Sequence, residues 1–238
     1  MIGLNNKKIG FIVDSSCNIK DDDIEDVKVV PLGITIQVGD QIKTYKDGVD
    51  LSLNELLNSF NIKESSIKTS QAAMPDMIRV AQEMCSKYDQ VFVFPIHKEL
   101  SSNLNSWRLL KDDFPNLNII SSCDVGRSYL WTIQDVKNFL TTHEANEADV
   151  QKFVDENIIG HHFALLMVED LTQLIKGGRV KGVKALIAKL FKIKPVVLVS
   201  TNGLESYDRA KDYEDLFQMV DKYVEKNYPG KKILSTLL

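Results

Sequence analysis

Residues 8–16 read Lys-Ile-Gly-Phe-Ile-Val-Asp-Ser-Ser. The run from Lys8 to Val13 shows no polar–apolar alternation, so it predicts a buried strand, with Asp14-Ser15-Ser16 as a polar turn at its end. The pattern recurs downstream. Val91 to Ile96 is a second buried strand, leading into a helix around Leu100 to Leu110, and Asn118 to Ser122 is a third strand. Between them, Ser52 and Glu55 form a capping box ahead of Leu56, Leu57 and Phe60. Thr69-Ser70-Gln71 precedes a helix with Pro75 in its first turn and Met77, Ile78, Ala81 and Met84 on its apolar face. Two helical patterns follow, at Val125 to Thr142 and Glu147 to Asn157.

Strands alternating with helices predict an α/β domain with a mainly parallel sheet. Such sheets gather ligands at the carboxyl ends of their strands. Three polar clusters stand after strands, Asp14-Ser15-Ser16, Thr69-Ser70-Gln71 and His97-Lys98-Glu99, and are expected to converge in one crevice. The β-branched stretch from Val27 to Val38 reads as one arm of a hairpin closed at Gly39-Asp40, with Gln41 to Tyr45 as the other. The acidic patch from Asp21 to Asp26 reads as a solvated loop or helix start.

Around Gly160 the pattern changes, so the expected division is residues 1–159 and 160–238, the second a smaller α/β domain with a mixed sheet. His161 to Val168 reads as a strand, Asp170 to Ile175 as a short helix, Gly177-Gly178-Arg179 as a turn and Val183 to Phe191 as an apolar, basic helix. Lys194 to Ser200 and Leu204 to Ala210 form an antiparallel pair around Asn202-Gly203, followed by a helix from Tyr213 and a strand start at Lys231 to Leu238. Lys176 to Lys194 holds seven basic residues and no acidic one, a solvated face or a docking surface for an acidic partner.

The chain has 238 residues, a formal net charge of −4, 44% hydrophobic and 26% charged residues, which is ordinary for a globular protein that builds a real core. Slight acidity argues against a general nucleic-acid binder. No apolar run approaches the roughly 20 residues of a membrane helix. Met1 to Lys8 is polar and too short for a secretory signal. Cys17, Cys85 and Cys123 are far apart and odd in number, so they read as reduced thiols and suggest a cytoplasmic setting.

Several enzyme readings fail on spacing. Gly177 and Gly182 are separated as in a phosphate-cradling loop, but Val183 stands where the lysine belongs. There is neither a GxGxxG nor a GxSxG element. Asp14 lacks a helper carboxylate two residues on, where Ser16 stands. His143-Glu144 lacks a second histidine, and His161 and His162 point to opposite faces of a strand, so no metal is expected.

Taken in order, Asp14-Ser15-Ser16, Val30-Pro31-Leu32, Tyr45 with Asp47, Thr69-Ser70-Gln71, Leu100-Ser101, Gly177-Gly178-Arg179, Lys194-Pro195 and Gly203 with Arg209 resemble the DegV family of bacterial fatty-acid-binding proteins over nearly the whole chain. The resemblance implies a carrier without catalytic residues or cofactor. It binds one long-chain fatty acid, such as palmitate, stearate or oleate, between two α/β domains and presents the carboxylate to a separate fatty-acid kinase. It also implies carboxylate contact by Thr69, Ser70 and His97, and head-group or interdomain support from Asp14, Ser15 and Arg179. Ala185, Leu186, Leu190 and Phe191 are core-like and candidates for lining the tail tunnel, and Arg209 for touching the kinase. Membrane contact is expected to be at most transient and at the surface.

The chain departs from the family pattern in three places. His97 stands where a carboxylate-binding serine is usual. Ala72-Ala73-Met74 replaces Pro-Ser-Pro, which removes an N-cap. The family pattern also continues beyond Leu238 to a His-x-Gly-x-Gly-like segment, so the chain reads as shortened. Two rival readings stand beside the carrier: a small hydrolase or phosphotransferase using Asp14 or His97 in the same crevice, and a diverged binder of a smaller carboxylate.

Overall fold

The computed structural model describes residues 2–20, 24–62, 65–161, 163–168, 180–181 and 194–230. The chain separates into two compact units, Met1–His162 and Phe163–Leu238.

The core of the first unit is a sheet of β1 (Ile9–Asp14), β2 (Val27–Val30), β6 (Gln90–Phe94) and β7 (Leu117–Ile119), ordered β2-β1-β6-β7 and parallel at every pairing. All six residues of β1 are buried, as its uninterrupted apolar run predicts. Ile9, Phe11, Val13, Phe92 and Phe94 pack to one side. They meet Ile133, Val136 and Leu140 of α4 (Tyr129–Thr142) and Val150 and Val154 of α5 (Glu147–Val154). Ile12, Val91 and Val93 face the other side. There they meet Met77, Val80 and Met84 of α2 (Met74–Lys87) and Leu104 and Trp107 of α3 (Asn103–Leu109). The result is three layers with helices on both faces, as parallel sheets require. Gly10 lets α2 approach: a Cβ there would lie 2.6 Å from the Tyr88 ring and 2.8 Å from Met84 Cε.

The β7 edge is covered from α5. Ser121 N donates to Gln151 Oε1 (2.8 Å) and Gln151 Nε2 donates to Ser121 O (2.9 Å), while Glu147 Oε2 accepts from Ile119 N (2.9 Å) and Lys111 Nζ (2.6 Å). These side chains take the place of a further strand.

A second, antiparallel sheet joins β3 (Gly33–Val38), β4 (Gln41–Lys46) and β5 (Ser65–Ser70) in the order β4-β3-β5. The hairpin at Gly39-Asp40 is as the sequence predicts, but its long first arm is two strands in different sheets. Pro31 has no N–H to continue a ladder, and the chain leaves the parallel sheet there. The capping box is present: Glu55 N donates to Ser52 Oγ and Ser52 N to Glu55 Oε2, opening α1 (Leu53–Phe60).

The second unit contains β8 (Ala164–Met167), β9 (Val180–Lys181), β10 (Lys194–Ser200), β11 (Gly203–Ala210) and α6 (Tyr213–Asn227). The sheet order is β8-β10-β11-β9, antiparallel except for the parallel β11–β9 edge, so this sheet is mixed. Val196, Ala210 and Leu216 form its small core. His161 lies in a turn before β8 rather than on a strand. The helices expected at 170–175 and 183–191, the strand start at 231–238, and His162 lie outside the described residues.

Candidate functional site

The strand order places a switch point between β1 and β6: the chain leaves β1 for β2 on one side, then returns to β6 on the other. A crevice at the carboxyl ends of such strands is the usual ligand position in this architecture. Asp14, the last residue of β1, stands there and is only 1% exposed. Its Oδ2 accepts from Ile96 N beyond β6 (2.6 Å) and from Asn103 Nδ2 of α3 (2.9 Å). Its Oδ1 accepts from Ser16 N (3.2 Å) and from the Ser16 hydroxyl. Burial raises the Asp14 pKa above its usual 3.8, against the opposing effect of these hydrogen bonds. With four donors aimed at its lone pairs, this carboxylate is a structural clamp and a poor nucleophile.

Ser15 and His97 lie beside this clamp in sequence. Ser15 Oγ accepts from Leu32 N (3.1 Å), tying the β1 turn to the segment that enters β3. His97 follows Ile96 and is 2% exposed; its Nδ1 accepts from Glu99 N (3.1 Å). Burial lowers its pKa below 6.5; Glu99 opposes that shift and Lys98 adds to it. The Thr69-Ser70-Gln71 segment is held through α3, where Ser106 Oγ donates to Gln71 Oε1 (2.9 Å). Asn103 and Ser106, three residues apart on α3, therefore connect two of the polar clusters that the sequence suggests should converge. The third, at His97, joins them through Ile96 N on Asp14.

Thr69 and Ser70 end strand β5, whose polar sequence hid it as a strand. Both are exposed, and adjacent strand residues project to opposite faces. Thr69 pairs with Ile34 and Ser70 with Gly33. A Cβ on Gly33 would lie 2.2 Å from Ser70 Oγ, so the absent side chain leaves room for that hydroxyl. Ala73 caps α2 without a side-chain hydrogen bond, as the Ala72-Ala73 substitution suggests, and the missing cap costs about 1 kcal/mol. The buried Asp76 in the first turn pairs with Lys46 Nζ at 2.8 Å.

Sequence reasoning missed Asn103, Ser106 and Tyr129. Tyr129 is fully buried, and burial, with the Asp14 and Asp124 carboxylates, raises its pKa well above 10. Asn103 Oδ1, Tyr129 Oη and Thr132 Oγ1 are buried without hydrogen-bond partners among the described residues. Burial pushes the Cys17 thiol up to about 12, so it stays protonated and non-nucleophilic at neutral pH. Among the described residues, no three His, Cys, Asp or Glu side chains are grouped to hold a metal, and no helix is long and apolar enough to cross a membrane. Arg179, Ala185, Leu186, Leu190 and Phe191 lie outside the described residues. Arg209 is exposed on β11, opposite Pro195.

A parallel α/β sheet with hydroxyl, imidazole and carboxylate groups gathered at its switch point is the frame of a small-molecule site. The profile described as "Uncharacterised protein, DegV family" matches residues 8–238. The chain belongs to the DegV family. Curated relatives include DegV domain-containing proteins of Mycoplasma genitalium (26% identical, 95% of this chain and 79% of the relative) and Mycoplasma pneumoniae (29%, with the same coverage). Among solved structures, a DegV family protein from Thermus thermophilus described for its fatty-acid binding superposes with TM-score 0.78 at 23% identity, covering 94% of this chain and 79% of that one. A stearic-acid-binding protein from Eubacterium ventriosum gives TM-score 0.76 at 22% identity, covering 92% and 78%. At these identities the structures establish a shared fold.

Proposed function

We propose that this protein binds one long-chain fatty acid and presents the carboxylate to a separate kinase for acyl-phosphate formation, as a carrier and not as the catalyst. The observation that supports this reading is Asp14 at one switch point, with Ser15 next to it and His97 next to its partner Ile96 in sequence, and Gln71, next to Ser70, tied to α3 by Ser106, in a fold shared with proteins whose structures contain or bind heptadecanoic and stearic acids. A buried carboxylate must find hydrogen bonds, because an unpaired buried charge is very costly. In this reading Thr69, Ser70 and His97 supply donors, Asp14 and Ser15 hold the frame, Arg179 supports the head group, and Arg209 contacts the kinase. Ala185, Leu186, Leu190 and Phe191 line the tail, and the setting is cytoplasmic. The hydrolase reading is disfavoured by the saturated Asp14 carboxylate and the protonated Cys17 thiol.

Calorimetric titration with oleate tests the reading. One site per chain is expected, with no turnover of acyl or phosphoryl esters. Absence of oleate heat, or ester turnover that disappears in His97→Ala, would overturn it. A finer probe is Gly33→Ala. Its methyl displaces the Ser70 hydroxyl, a freely rotating group, while its other neighbours lie at ordinary distances of 3.6 and 3.7 Å. Stability is expected to change by less than about 1 kcal/mol and oleate affinity to fall about three- to tenfold, one hydrogen bond's worth. Unchanged affinity would remove Ser70 from the head-group contacts.

A further inference from the structure

We propose that His97 is locked as the neutral tautomer with its proton on Nε2, and that it presents this single fixed donor to select an ionised, acceptor-only head group; the proposal rests on the fatty-acid reading above. The lock is visible in the turn after β6. Nδ1 accepts from Glu99 N at 3.1 Å, so it carries a lone pair and no hydrogen. A neutral imidazole must then hold its proton on Nε2. The His97 carbonyl accepts from Leu100 N (2.8 Å) and Ser101 N (3.2 Å), so backbone and ring are gripped by the same turn. Nε2 meets no hydrogen-bond acceptor among the described residues.

Protonation would place a hydrogen on Nδ1 directly against the Glu99 N–H and break the turn. Geometry and burial therefore act in the same direction. The charged groups whose fields reach the ring are Glu99 and Lys98, of opposite sign. A hydroxyl at this position rotates and can donate or accept. The locked imidazole can only donate, and only in one direction. It matches a carboxylate, which accepts without donating, better than an alcohol, which must also place its own hydrogen.

Two near-isosteres separate the ring's two functions. In His97→Asn the amide oxygen replaces Nδ1 as acceptor for Glu99 N–H, but the outer donor is lost. In His97→Gln the amide N–H approximates Nε2–H, but the inner acceptor is lost. Oleate and oleyl alcohol affinities and melting temperature are measured on the full chain, with long-range 15N–1H NMR of the wild-type imidazole. The Nε2–H tautomer is expected. His97→Asn should melt within about 2 °C of wild type yet bind oleate about tenfold more weakly, with a distinctly smaller loss for oleyl alcohol. His97→Gln should show the reverse, losing thermal stability while keeping oleate affinity within about threefold. An Nδ1–H tautomer would remove the Glu99 contact itself, and full oleate affinity in His97→Asn would reduce His97 to a loop staple; either result would overturn the proposal. A wild-type chain that binds no oleate would instead sink the fatty-acid reading and this inference with it.

Discussion

Asp14→Ala is expected to lower the melting temperature of this protein by on the order of 10 °C. The carboxylate at the end of β1 joins three separate pieces of chain: the β1 turn through Ser16, the segment after β6 through Ile96, and α3 through Asn103. Removing it strands the Ile96 N–H and the Asn103 amide in a buried setting. Each unmet buried donor costs about 1–3 kcal/mol, so the total is on the order of 4 kcal/mol. In a unit of this size each kcal/mol corresponds to about 2–4 °C. Asp14→Asn is the control. Its amide oxygen can keep Ile96 N and Asn103 Nδ2, its NH2 can donate to the Ser16 hydroxyl, and only the Ser16 N–H loses its acceptor. It also removes the cost of burying a charge, which is what raises the Asp14 pKa. A small loss, about 1 kcal/mol, is therefore expected for Asn against a large loss for Ala. Equal effects of Asn and Ala, measured by calorimetry, would show that the charge and not the acceptor geometry matters.

Affinity for saturated fatty acids is expected to rise steeply with chain length. A methylene moved from water into apolar surroundings gains about 0.8 kcal/mol, and ordering the chain takes back roughly half. Going from decanoate to palmitate adds about six methylenes, a net gain on the order of 2–5 kcal/mol, or about thirty- to several-thousand-fold in affinity. The head-group contacts are common to the whole series, so they set the intercept and not the slope. A titration series from hexanoate to stearate separates the carrier from a binder of a smaller carboxylate. A flat series, or one that saturates by hexanoate, would identify the latter.

What the sequence made legible follows from burial. β1 and β6 lie inside the three-layer unit, so their apolar runs announce them. The capping box at Ser52 and the turn at Asn202-Gly203 are local signals that need no tertiary context. β5 was illegible because Ser65–Ser70 is polar and becomes a strand only by pairing with β3. The split of Val27–Val38 depends on Pro31 ending one ladder and Gly33 opening another, which a propensity reading merges. At the site, Asp14, Ser15 and His97 were visible as polar residues after buried strands. Asn103 was not, because its partner lies 89 residues earlier and meets it only once α3 is docked. The Nδ1 bond that sets the His97 tautomer likewise depends on the path of the turn after β6.

The central claim is that a fatty acid occupies this protein, and native mass spectrometry of gently purified material tests it most directly. The account predicts a chain carrying one adduct with the mass of a long-chain fatty acid, or taking up one equivalent of palmitate or oleate when it is supplied. A chain that shows only its bare mass and accepts neither acid would contradict it.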